Sequence, residues 1–130
     1  MNSGWSVGQV AERFGVATNV LRHWEDVGLL EPARDPADRR RYDHDDVVRV
    51  AVIQRSKSAG MSLEQIRVFL DSEARGRHEV LQAHLDDLDR RMEEMRLARE
   101  MALHAFKCEQ HDLTSCPGFR RWVDDLVTGF

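Results

Sequence analysis

Hydrophobic residues near the start of the chain recur at the spacing of two short amphipathic helices. The apolar stripe of the first helix is Val7, Val10, Ala11 and Phe14. An S-x-x-Q capping box beginning at Ser6 precedes this helix, and Gly15 ends it. The second helix has Leu21 and Trp24 one turn apart, facing the first helix as core residues, and ends at Gly28. Two short helices joined by a turn that contains glycine predict a helix-turn-helix.

Residues 29–43 lack this helical periodicity. They hold two prolines and three consecutive arginines before Tyr42, which is typical of two short strands with a tight turn near the sequence DPAD. We interpret this stretch as a wing, an arm that lies along a phosphate backbone. An apolar run at 47–53 and a second S-x-x-Q capping box at 62–65 predict another pair of helices after the wing.

Beyond residue 72 the hydrophobic period changes to the alternating four-three spacing of a coiled coil. A helix over residues 75–106 is about 48 Å long at about 1.5 Å per residue, and its single apolar stripe must be buried against another helix. The chain has no second long helix, so the expected partner is a second copy. The predicted dimerisation residues, called the seam, are Leu81, Leu85, Leu88, Met92, Met95, Ala102 and Phe106.

The composition, 42% hydrophobic and 32% charged over 130 residues, is that of a soluble globular protein. With no signal peptide and no apolar run near the roughly 20 residues of a membrane span, we expect a cytoplasmic protein without a membrane partner. The net charge of -4 argues at first against a nucleic-acid partner. Residues 1–70, however, carry 10 basic and 10 acidic residues, so the surplus acid lies in the second half.

Three motifs occur in order in the chain: R-x-W-E-x-x-G-L from Arg22, R-x-Y from Arg40 and G-x-S-L-E-x-I from Gly60. With the surrounding sequence of residues 5–106 they resemble the MerR family of bacterial transcription regulators. The resemblance implies a mainly α fold, a winged helix-turn-helix followed by a long helix that forms an antiparallel coiled coil in a homodimer. The domains expected from it are a DNA-binding domain (1–72), a dimerisation helix (73–106) and an effector loop with a short helix (107–130).

The resemblance also implies a mechanism. Such dimers bind double-stranded promoter DNA in which the spacer between the two promoter elements is too long. They bend and untwist the DNA so that RNA polymerase can read both elements. RNA polymerase is thus an expected partner through the shared promoter DNA. A deformation of this kind costs a few to about 10 kcal/mol, which protein contacts must supply. No nucleophile and base set and no phosphate loop appears in the chain, so we expect no enzyme.

The predicted DNA contacts lie on the second helix, the wing and the next helix pair. Ala17 stands where the family usually has a serine N-cap, so we expect the cap to move to Thr18. Arg22 is expected to contact DNA, and the alternative is that it forms an ion pair with Glu25 one turn further along the helix. The wing arginines alternate faces, so at most two reach DNA together, and the resemblance favours Arg40 with Tyr42. The predicted contacts are Thr18, Asn19, Arg22, His23, Arg39, Arg40, Arg41, Tyr42, Arg55 and Lys57.

Both cysteines lie in the sequence KCEQHDLTSCPGF, directly after the seam. The Cys-x7-Cys-Pro spacing resembles the metal loop of the copper-efflux branch of the family, in which two thiolates hold a monovalent ion. His111 lies between Cys108 and Cys116, and the three together suit tetrahedral zinc if a fourth ligand exists, for which His104 is the candidate. The expected cofactor is therefore copper(I) or zinc.

Three alternatives to a metal sensor remain open from the sequence. The two cysteines can form a thiol redox switch that closes a disulfide. They can also be structural, with Cys108 ending one helix and Cys116 packing under the last one. In that case the chain is a DNA-binding regulator without an effector, or an architectural DNA-binding protein.

Overall fold

The computed structural model describes residues 4–109 and 112–128, which form two compact units, one up to His84 and one from Leu85. No helix in these ranges is both long and apolar enough to cross a membrane. The elements in chain order are α1 (Val7–Phe14), α2 (Thr18–Asp26), β1 (Ala33–Arg34), β2 (Arg40–Arg41), α3 (His44–Ser58), α4 (Leu63–Leu70), α5 (Arg77–Lys107), a 3-10 turn (Leu113–Ser115) and α6 (Pro117–Val127).

Three helices of the first unit begin at reciprocal capping boxes. At α1, the Ser6 hydroxyl accepts from the Gln9 N–H at 3.2 Å, and the Gln9 side chain accepts from the Ser6 N–H at 2.8 Å. Ser62 and Gln65 repeat the arrangement at α4, so both predicted capping boxes are confirmed. A third capping box lies at α3, where the side chains of Asp43 and Asp46 each accept from the backbone N–H of the other. It was not predicted, because the S-x-x-Q motif begins with serine and ends with glutamine.

The N-terminus of α2 corrects one expectation. The N-cap residue is Ala17, in extended conformation at φ -76° and ψ 153°, and no side chain caps this end. The predicted move of the cap to Thr18 is wrong because Thr18 is already the first helical residue, and the Ala17 carbonyl accepts from the Val20 N–H at 3.1 Å. The Thr18 hydroxyl is therefore not committed to capping.

The wing is a two-stranded antiparallel sheet in which Ala33 pairs with Arg41 and Arg34 with Arg40. Its base is closed by a bridge between Trp5 and Tyr42, whose backbones exchange two hydrogen bonds of 2.8 Å. Gly4 precedes the bridge with φ 112°, and a Cβ there would lie 2.7 Å from the Tyr42 carbonyl oxygen. Only glycine fits this position without a shift of the backbone.

The hydrophobic core of the first unit lies among α1–α4 and the base of the wing. Trp24, expected in the core, is 3% exposed, which confirms its assignment. The fully buried large side chains are Tyr42, Leu21, Leu29, Ile53, Ile66 and Val50. Because these residues come from every segment between α2 and α4, the helix-turn-helix and the wing share one core.

The second unit buries little of its apolar surface within a single chain. Neither α5 nor α6 has a buried residue. In the seam, Met92 is 69%, Met95 72% and Phe106 88% exposed, whereas Leu81 and Leu88 are half-buried. The helix α6 contacts the end of α5 through Trp122, whose ring centroid lies 6.0 Å from that of His104.

Candidate nucleic-acid interface and thiol pair

One face of α2 is buried and the other is open to solvent. Leu21 and Trp24 face the core, which leaves Asn19, Arg22 and His23 exposed. Arg22 makes no ion pair with Glu25, because that carboxylate binds two wing arginines instead. The alternative role considered for Arg22 is therefore wrong, and its guanidinium lies on the exposed face of the helix-turn-helix.

All three consecutive wing arginines have carboxylate partners. Arg39 Nε lies 3.1 Å and Arg41 Nε 3.4 Å from the same oxygen of Asp35, and Arg40 Nε contacts Glu25. The backbone N–H of Arg39 is the main cause that lowers the pKa of Asp35. Only Arg39 is largely exposed, at 71% of its side chain. The wing is therefore a folded ion-pair network rather than a free basic run.

Tyr42 does not lie on a surface that DNA can contact. Its side chain is fully buried in the core, and its hydroxyl has no hydrogen-bond partner among the residues that the structure describes. Burial raises the pKa of Tyr42, and the charge of Glu25 adds to this effect. The predicted DNA contact by Tyr42 is wrong, because backbone pairing with Trp5 at the base of the wing leaves the ring on the core side.

Arg55 and Lys57 lie in the last turn of α3, and both are exposed. Neither has an ion-pair partner within the residues that the structure describes. A free cation on a helix surface is suited to a phosphate contact. Contact between these two residues and DNA stays a prediction.

The two cysteines meet where α5 ends and α6 begins. Cys108 follows α5, its N–H donating to the His104 carbonyl at 3.0 Å, and Cys116 is the N-cap residue of α6. Both are half-buried thiols without a disulfide between them. The backbone N–H of Phe119 lowers the pKa of the Cys116 thiol most, and a side-chain hydrogen bond with Cys108 lowers it further. Such an environment favours the thiolate, which is the nucleophile and the metal ligand. We call Cys108 and Cys116 the thiol pair.

Asp112 organises the loop before Cys116. Its carboxylate accepts from the Thr114 N–H at 3.1 Å, the Thr114 hydroxyl at 2.6 Å and the Ser115 hydroxyl at 3.1 Å. These bonds lower the pKa of Asp112, the Thr114 hydroxyl contributing most. Asp112 had no predicted role, although an Asp two residues before Thr is a known signal for such a turn.

The described ranges, 4–109 and 112–128, bring together no group of three His, Cys, Asp or Glu side chains that could hold a metal. His111, the predicted third ligand, lies outside the described residues. His104, the candidate fourth ligand, packs against Trp122. The sulfur atoms of the thiol pair are ligands of the kind that soft cations prefer.

An exposed helix-turn-helix face with a wing beside it defines a winged helix-turn-helix DNA-binding protein. The family "MerR HTH family regulatory protein" matches residues 5–73, and "MerR, DNA binding" matches residues 47–103. The chain is 31% identical to the HTH-type transcriptional regulator HmrR of Rhizobium leguminosarum bv. viciae over 86% of its length and 92% of that protein's. It belongs to the MerR family of DNA-binding transcription regulators.

Solved structures with a similar fold include the following two. HiNmlR, a MerR family regulator lacking the sensor domain and bound to promoter DNA, is 24% identical with a TM-score of 0.66, over 80% of this chain and 86% of that one. The lead(II) complex of PbrR691 from Ralstonia metallidurans is 26% identical with a TM-score of 0.54, over 90% and 98%. Both likenesses agree with the fold described above.

Proposed function

We propose that the chain is a homodimeric promoter-binding regulator whose response is set by a soft monovalent cation, copper(I), held by Cys108 and Cys116. The observation that carries the proposal is the thiol pair itself. Two thiols share a hydrogen bond, and the pKa of one of them is lowered towards the thiolate form. Two thiolates are the ligand set that a soft monovalent ion prefers.

The exposed seam supports the homodimer. Leu85, Met92, Met95 and Phe106 are each more than half exposed in the single chain. Burial of apolar area contributes about 25 cal/mol per Å², so a second copy that covers this stripe is a strong source of stability. In the dimer, each α2 enters a major groove and each wing lies along the flanking backbone. We further propose that the dimer distorts the promoter for RNA polymerase when the cation is bound.

Similar proteins support a metal effector. PbrR691 was solved with lead(II), a soft divalent cation, and the present chain covers 98% of it. Two thiols that share a hydrogen bond match the ligand set of two-coordinate copper(I), whereas tetrahedral zinc requires two further ligands. Zinc requires His111 and one more ligand.

A second candidate function is supported by the same two side chains. Hydrogen-bonded thiols with a lowered pKa are the starting point of a disulfide, because the thiolate is the attacking species. In this thiol redox switch, an oxidant such as a peroxide removes two electrons and two protons from the pair, and the peroxide is reduced in turn.

The test combines metal binding with transcription. Purified protein is titrated with copper(I) against a competing chelator, and run-off transcription is followed from a promoter selected by the wild-type chain. We expect Cys108→Ser and Cys116→Ser each to lose copper and induction but to keep DNA binding. We expect His111→Ala to keep both copper binding and induction, and Thr128→Ala, which changes a hydroxyl outside the loop, to behave as wild type.

Each other outcome identifies a different function. A zinc site loses much of its affinity in His111→Ala. A redox switch shows no bound metal, and oxidant forms a Cys108 to Cys116 disulfide that changes transcription. Normal induction of both serine variants would overturn the proposal and leave the loop a structural element.

A further inference from the structure

One carboxylate joins α2 to both strands of the wing. Glu25, in the last turn of α2, accepts from Arg34 Nη2 at 3.4 Å through one oxygen and from Arg40 Nε through the other. Arg34 and Arg40 are direct partners in the register of β1 and β2. Glu25 therefore binds a matched pair of residues, one from each strand.

The cluster is shielded more than an ordinary surface ion pair. The side chains of Glu25 and Arg40 are 22% and 21% exposed, and Arg34 is 40% exposed. The hydrogen bond that Arg40 donates to Glu25 raises the pKa of Arg40. Partly buried pairs are screened less by salt than exposed ones, and a network fixes geometry better than an isolated pair.

Electrostatics alone gives Glu25 an unfavourable position. It lies three residues from Arg22 on the helix expected to approach DNA, where a carboxylate repels phosphate. The ion pair with Glu25 also holds Arg40 against the protein, where it is less available for a contact with DNA. Because Glu25 weakens the attraction between this surface and DNA, another role is expected for it, and its contacts with both strands of the wing indicate a structural one.

We infer that Glu25 is a positioning residue for DNA binding, which fixes the wing against α2 so that both meet DNA as one preformed surface. The inference rests on the proposed docking of α2 and the wing on the same duplex. Pre-organisation lowers the ordering cost paid on association, and so raises affinity without a direct contact. Arg40 then acts within the protein, whereas Arg39, whose side chain is 71% exposed, is the wing arginine that is accessible to the phosphate backbone of DNA.

The test compares Glu25→Gln with Asp26→Asn. Both changes remove one negative charge from the last turn of α2, but Asp26 is exposed and has no ion pair within the described residues. The probe is a duplex selected by the wild-type chain from a random pool. We expect Asp26→Asn to bind equally or somewhat more tightly, and Glu25→Gln to lose about 10-fold in affinity.

Salt dependence and a double mutant separate positioning from charge. If the wing is released, Glu25→Gln binds DNA with a shallower slope of log affinity against log salt, because phosphate contacts are lost. We expect Arg40→Gln to show a similar loss, and the double variant to lose no more than either single variant. Circular dichroism checks that all variants remain folded.

Opposite results reject the inference. If Glu25→Gln binds as tightly as Asp26→Asn, or more tightly, Glu25 has no positioning role. If Arg40→Gln loses more than Glu25→Gln, Arg40 contacts DNA directly. The docking itself has a separate test: Arg22→Ala and Arg39→Ala must both weaken binding if α2 and the wing contact the duplex, because both side chains are exposed.

Discussion

In the unit up to His84, Leu21, Val50 and Ile66 are fully buried, whereas in the unit from Leu85 the large side chains of Met95 and Phe106 are mostly exposed. Both units have amphipathic helices, so the pattern alone does not decide burial. The first unit has four helices and a wing whose apolar faces cover one another. The described part of the second unit consists of most of α5 and the short helix α6, which leave the seam exposed in the single chain, and the proposed second copy covers it.

The difference separates two kinds of stability. A core closed within one chain gives a free energy of unfolding that does not depend on protein concentration. A seam closed between chains gives one that does, because association and folding are linked. DNA recognition and dimerisation can therefore be disturbed separately, and four sets of substitutions test this.

The largest effect is expected from Leu88→Asp in the seam. A carboxylate buried without a partner destabilises by about 3–5 kcal/mol, enough to prevent dimerisation. Sedimentation should show monomers, while circular dichroism keeps the signal of the first unit's helices. Ala83→Asp, on the same helix but outside the seam, is the control and should stay dimeric. A dimeric Leu88→Asp would refute the coiled-coil assignment.

Ile66→Ala, in the closed core, should cost about 2–5 kcal/mol through lost burial and a cavity. Its loss of melting temperature should be the same at low and high protein concentration. Met92→Ala is the comparison, since Met92 is 69% exposed in the single chain. Its destabilisation should be small at concentrations where the protein is monomeric and should grow to a plateau as the dimer forms, because only the dimer buries Met92. A loss that is the same across this range would place Met92 outside the dimer interface.

Arg22→Ala should affect recognition and leave both cores intact. If Arg22 reads a base, specific affinity falls by about 1–3 kcal/mol, and binding to scrambled DNA changes much less. Competition between selected and scrambled duplexes measures this difference. An equal loss on the two duplexes would make Arg22 a phosphate contact.

The smallest effects concern helix caps in the first unit. Ser62→Ala removes a capping box and should destabilise by about 1 kcal/mol, whereas Ala17→Ser adds a cap to α2 and should stabilise by a similar amount. Urea denaturation measures both. If Ala17→Ser has no stabilising effect, the α2 N-terminus is held by packing alone.

The sequence predicted those parts of the structure that neighbouring residues determine. The boxes at Ser6 and Ser62 satisfy helix N–H groups within one turn, so the motif was enough. The positions of Glu25 and Tyr42 depend on residues 15 to 37 positions away, Glu25 on Arg40 and Tyr42 on Trp5, and no local pattern encodes such distances. Helix caps can therefore be predicted from the sequence, whereas a charge pair between distant residues cannot.

Tyr42 is the one tyrosine of the chain, which makes its burial useful for spectroscopy. Because burial raises its pKa, the neutral phenol is favoured in the folded state. The stabilisation is complete below the unfolded pKa of about 10 and is lost as pH rises through the higher folded value. Tyrosinate absorbance in an alkaline titration therefore reports opening of the core beneath the wing, without any added label.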